Sequence, residues 1–164
     1  MTWHTRRFGT EPDDERGIKY LWLKSHAYSS YGRRMRLVVA ERVVLDDGRD
    51  RLHWHEHDAN MKAYWRGHEP VVTRLLARCG ADILYNPAAP DVILAFACQE
   101  DGAVHMAVRK RKFREFAAAM FGTLLGHHTR DTVYTHEMPD LAAEYDGKMP
   151  EGWRYDEFWL VRNL

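Results

Sequence analysis

The chain has 164 residues, 45% of them hydrophobic, which suits one domain with a core of its own. Its 24 lysines and arginines balance 24 aspartates and glutamates, so no global field draws it toward nucleic acid or an anionic membrane. No apolar run approaches the roughly 20 residues of a membrane span. Cys79 and Cys98 lack CxxC spacing and predict two reduced, buried thiols.

Residues 1–17 are polar and turn-rich, an arm expected to order only against something else. They hold arginines but no apolar stretch of a secretory signal, and the expected setting is soluble and intracellular. Ile18, Leu21, Trp22 and Tyr28 recur at helical spacing. The valine-rich stretch from Leu37 to Leu45 predicts a strand, Asp46-Asp47-Gly48 a turn, and Arg51–Asp58 the returning strand. Asn60–Arg78 predicts a helix interrupted or restarted near Pro70, stopped by Cys79-Gly80.

Asp82–Tyr85 and Val92–Cys98 predict a hairpin across a loop containing Pro87 and Pro90. Ala103–Val108 predicts a third strand and Lys112–Leu125 a helix ended by Gly126. A short strand at Thr132–Thr135, a short helix at Pro139–Tyr145 and an extended, aromatic-rich stretch at Trp153–Leu164 complete the order. With no repeat and no linker, this predicts one α+β domain with a mixed, mostly antiparallel sheet flanked by helices.

The segment Val104–Gly126 carries the most information. An apolar strand ends in a basic turn and a small-residue helix follows at once, the arrangement that presents backbone N–H groups to an anion such as pyrophosphate. The glycines that let a backbone approach pyrophosphate closely are missing, with Ala117 and Ala119 in their places. Arg109-Lys110-Arg111-Lys112-Phe113-Arg114 is the densest charge run, suited to phosphate, including that of nucleic acid, or to an acidic partner surface. His53, His55 and His57 alternate, so on a strand they share one face as metal ligands would. Without cysteines nearby, a solvated or interface surface is the reading adopted, and no metal is assigned. His127-His128 follows a helix-ending glycine and suits the negative end of that helix.

Five places in this order carry a family resemblance: Tyr20–Ser25, Val71–Arg78, Asn86–Phe96, Val104-His105 with Phe113-Arg114, and Val133–His136 with Trp153–Tyr155. Together they resemble the GNAT acyltransferase superfamily, and more narrowly the short GNAT-like proteins of bacteriophages. The resemblance covers residues 18–164 and implies a GNAT-like fold with an inserted hairpin at about residues 36–58. It places the acyl-CoA loop at Val108, Arg109, Arg114, Ala117 and Ala119, a degenerate form of Arg/Gln-x-x-Gly-x-Gly/Ala. Glu115 adds a repelling charge beside it. The same resemblance puts an acid tyrosine near Tyr145, with Glu144 and His136 as candidates for the base.

Two expectations follow. The first is a non-catalytic structural or assembly subunit of a phage particle. It binds no cofactor and acts through contacts with other phage structural proteins or itself, in the virion or in host cytoplasm during infection. Six tryptophans and eight tyrosines, more than a small core demands, favour such contacts. The alternative is an acetyl-CoA-dependent N-acetyltransferase acting on an amine of a small molecule or protein. Membrane is not an expected partner, and nucleic-acid contact through Arg109, Lys110, Arg111 and Lys112 is a lesser expectation.

Overall fold

The computed structural model describes residues 2–128, 131–136, 138–142 and 148–162. It is an α+β structure, as the order of elements predicts. A six-stranded mixed sheet runs in the order β1 (His4–Arg7), β4 (Asp82–Asn86), β5 (Ala89–Glu100), β6 (Ala103–Arg109), β7 (Val133–Tyr134), β8 (Arg154–Tyr155). The first four strands are antiparallel neighbours, whereas β6–β7 and β7–β8 pair in parallel. A separate two-stranded sheet holds β2 (Val38–Val44) and β3 (Asp50–Glu56).

Helices cover both faces of the large sheet. Ile18, Leu21 and Trp22 of α1 (Asp14–Ala27) and Val72, Leu75 and Leu76 of α3 (Asp58–Cys79) pack on Phe96, Cys98, Met106 and Val108. On the other face Ala117, Met120, Phe121 and Leu124 of α4 (Ala117–Leu125) pack on Leu84, Ala95, Ala97 and Ala107. Leu141 of the short α5 (Pro139–Ala142) joins the same layer. Phe96 and Cys98 therefore look one way and Ala95 and Ala97 the other, the alternation expected of a strand. Both faces being covered explains why β5 and β6 are nearly continuous apolar runs. Cys98 is buried and Cys79 half-buried, both as free thiols.

Several sequence expectations change. The N-terminal segment orders against the chain's own sheet, because Thr5 and Arg6 pair with Leu84 and Ile83 at its edge. Arg6 also reaches the buried Asp14 carboxylate at the start of α1, Nη2 donating to Oδ1 over 2.6 Å. Pro70 does not interrupt α3. It lies on the exposed side, so the loss of one backbone donor leaves the packed face intact. Pro90 falls inside β5, where register shifts around Tyr85 remove the need for its missing N–H. The closing segment is extended only at Arg154–Tyr155. Asp156 then accepts from the backbone N–H of Phe158 over 3.1 Å and opens a helical turn, α6 (Trp159–Arg162).

A hairpin forms where Leu37–Leu45 and Arg51–Asp58 predict it. Its turn holds Gly48 at φ 76°, a left-handed conformation that glycine adopts without strain. At its base Lys24 of α1 pairs with Glu56, and the short helix α2 (Ser30–Arg34) sends Arg33 over the Trp54 ring at 5.8 Å. Beyond this base most of its residues are exposed, among them Val44, Leu52 and Trp54.

Candidate functional site

Two regions are expected to carry chemistry: the basic loop after β6 and the segment after β7. The loop, Arg111–Phe116, forms 3₁₀ turns kinked at Phe113 (φ −104°, ψ 27°) and runs directly into α4. Lys110 N–H donates to the Leu94 carbonyl over 2.7 Å, Phe113 N–H to the Lys110 carbonyl, and Ala117 N–H to the Arg114 carbonyl. A 3₁₀ helix turns its N–H groups back onto carbonyls three residues earlier. Ala117 is wholly buried, its methyl packed in the α4 core, and Phe113 is buried beside it. At Ala117 the N–H is thus committed to the Arg114 carbonyl and the methyl fills the space that a glycine would leave open. Arg111, Lys112, Arg114 and Ala119 face solvent, Arg109 is buried, and burial lowers the Lys110 ammonium below the ordinary lysine value.

The second region is built differently. β7 pairs with β6 in parallel at Ala103↔Val133 and Val104↔Tyr134, and Thr135 N–H still reaches the Val104 carbonyl over 3.2 Å. Where that pairing ends, a cavity of about 330 Å³ opens between α1, α3 and β6. Trp22, His26, Tyr64, His68, Met106, Val108 and His136 are among its walls, and among the described residues its lining holds no Asp, Glu, Lys or Arg. Trp22 and Tyr64 stack at 5.8 Å, and Tyr64 stacks on His68 at 4.0 Å. Burial pushes the Tyr64 phenol up to about 12, so it is a neutral donor at physiological pH.

His136 stands at the inner end of a hydrogen-bonded chain. Arg78 Nε donates to Glu100 Oε1 over 2.9 Å, and His105 Nε2 lies 2.7 Å from the same oxygen. His105 Nδ1 lies 2.9 Å from Thr135 Oγ1, which lies 2.9 Å from His136 Nδ1. His105 is wholly buried on β6 and Thr135 nearly so. Burial alone would raise the Glu100 carboxyl; hydrogen bonds from Arg78 and His105 outweigh it and hold Glu100 below the usual carboxylate range. Burial holds His105 below the ordinary histidine value despite the opposing pull of Glu100. Burial also lowers His136, helped by His105 and His26 and opposed by the His105 backbone. Burial thus disfavours the charged form of both imidazoles.

The structure thus places Val108 and His136 on one cavity and puts Arg114, Ala117 and Ala119 outside it. Tyr145 and Glu144 lie outside the described residues. Sequence reading missed Glu100, His105 and Thr135, which sit at a strand end, in a strand and after a strand. It also missed the aromatic wall of Trp22 and Tyr64, which lie far apart in the chain and meet only because α1 and α3 share a face of the sheet.

The other histidine groups settle elsewhere. His53 and His55 share a face, with ring centroids 6.5 Å apart, but His57 caps α3 by accepting the Asn60 N–H. Among the described residues no group of three His, Cys, Asp or Glu side chains could hold a metal ion. His128 turns to Gln99, its Nε2 lying 2.9 Å from Oε1, and burial with the neighbouring His127 lowers it to about 4. A larger depression of about 520 Å³ lies against α1 and α3, but its Lys19 is paired with Glu15 and Glu69 at 2.7 and 3.0 Å. Among the described residues no helix is long and apolar enough to cross a membrane. Compared with protein-family models, curated proteins and solved structures, the chain finds no match in any of the three.

Proposed function

We propose that the chain acts through protein–protein contacts as a non-catalytic assembly subunit, with the exposed β2–β3 hairpin as its contact element. The observation that carries this reading is the hairpin itself, a two-stranded sheet separate from the main one, with Val44 and Leu52 more than half exposed. A lone hairpin of this kind is marginal in water and gains stability when a surface covers it. The loop after β6 supports the same reading, because the Ala117 N–H is bonded to the Arg114 carbonyl and the Ala117 methyl is buried where a glycine would admit a pyrophosphate. The phage particle as the assembly is what the family resemblance implies. Mass spectrometry of purified particles tests it: stoichiometric presence of the chain is the expected result, and its absence rejects the virion role.

A second reading, an acetyl-CoA-dependent N-acetyltransferase, is favoured by one observation. His136 lines the cavity and burial disfavours its charged form, as a general base for an amine requires. In that reading Ala117→Gly strengthens acetyl-CoA binding. In the assembly reading neither form binds it.

A further inference from the structure

The two cysteines meet. Cys79 is the last residue of α3, and Cys98 lies on β5, on the face that α3 covers. Gly80, at φ 65°, turns the chain there, and Asp82 then pairs with Ala97, the neighbour of Cys98. The end of the helix is thereby returned to the strand, and the two thiols share a hydrogen bond. A second contact gives that bond its direction. The Cys79 thiol donates to the Leu75 carbonyl over 3.1 Å, so its sulfur is the acceptor for the Cys98 S–H.

The two sulfurs differ in what they can do. Cys98 is wholly buried, whereas Cys79 is half-buried. The hydrogen bond from Cys98 lowers the Cys79 thiol below the ordinary value, outweighing its burial and the nearby Glu100 charge. The same hydrogen bond, together with burial, raises Cys98 and keeps its proton in place. A thiolate is the form that attacks an oxidant, and a reactive sulfur beside a second thiol can be resolved to a disulfide. We propose that Cys79 and Cys98 form a reversible intramolecular disulfide, Cys79 meeting hydrogen peroxide and Cys98 resolving the product. The Cys79 thiolate attacks one peroxide oxygen: an S–O bond forms, the O–O bond breaks, and hydroxide leaves. The Cys98 sulfur then attacks the sulfenic sulfur. An S–S bond forms, the S–O bond breaks, and the departing oxygen takes the Cys98 proton and leaves as water. In sum the thiol pair is oxidised by two electrons and the peroxide is reduced to water. The bond ties the end of α3 to β5. This site is separate from both the hairpin and the cavity, and it goes beyond the assembly reading.

The test uses the full chain, reduced and then freed of reductant, with a small excess of hydrogen peroxide at neutral pH. Denaturation in N-ethylmaleimide followed by intact-mass measurement should show a monomer lighter by two hydrogens and carrying no maleimide adduct. Peptide mapping should join the Cys79 and Cys98 peptides, and dithiothreitol should restore both adducts. In the untreated native protein N-ethylmaleimide should label Cys79 about tenfold faster than Cys98, following thiolate character and exposure. Cys98→Ser should leave a sulfenic acid at Cys79 that dimedone traps. Adducts on both cysteines of the peroxide-treated natural chain overturn the proposal without any variant. So do a disulfide joining two copies, faster labelling of Cys98, or bridging that occurs only after denaturation.

Discussion

Asp14 shows how much a single side chain decides at the N-terminus. Its carboxylate is almost wholly buried and meets an Arg6 side chain that is only 7% exposed. Removing one partner leaves an uncompensated buried charge, so Asp14→Ala is expected to cost about 3–5 kcal/mol in urea unfolding. A loss below about 1 kcal/mol would mean that β1 is not held this way. Ala117 is the opposite case, a small residue at a decisive place. Its methyl is packed in the core, so Ala117→Gly is expected to lower stability by about 1 kcal/mol rather than to open a binding loop. His128 gives a pH dependence. Its folded value, about 4, lies below the ordinary 6.5, so the unfolded chain takes up the proton first. The stability this group contributes is fully present above 6.5 and is lost as pH falls toward 4. Replacing it with Asn, which still offers Gln99 a donor, should flatten the fall in urea midpoint between neutral pH and about pH 5. An unchanged slope would place the proton uptake elsewhere.

At the scale of elements, local signals succeed where one residue type fixes the backbone. Gly48 in the hairpin turn and Gly80 after α3 both adopt positive φ, as their positions suggest. The β4–β5–β6 run is legible because its apolar residues are continuous and its turns are polar. Pro70 misleads, because a proline on an exposed helix face costs one hydrogen bond without ending the helix. Pro70→Ala should therefore stabilise the fold by about 1–3 kcal/mol, measured by thermal or urea unfolding; no gain would indicate a distorted α3 that needs the ring. The basic loop is legible as a strand-to-helix turn, but its 3₁₀ geometry depends on Phe113 and Ala117 meeting the core, which spacing does not reveal. The His136 chain is hidden for a related reason. Arg78, Glu100, His105 and Thr135 converge only because β5, β6 and β7 lie side by side and α3 packs on that sheet, and no local motif joins them.

At the scale of the molecule, three regions divide the work. The large sheet with its two helical layers supplies stability, the end of the β6–β7 pairing supplies the cavity, and the hairpin supplies exposed surface. Because the hairpin packs mainly on its own partner strand, paired Leu52→Ser and Val44→Thr substitutions should leave domain stability within about 0.5 kcal/mol. The same variant should lose stoichiometric association with its partner in size-exclusion chromatography. Full retention of the complex would move the contact surface off the hairpin. Calorimetric titration of the purified protein with acetyl-CoA tests most directly whether this chain lacks an acyl-CoA site and works through contacts. No heat of binding at millimolar ligand is the result predicted by the buried, hydrogen-bonded Ala117. Micromolar binding would contradict it and make His136 the first residue to examine as a base.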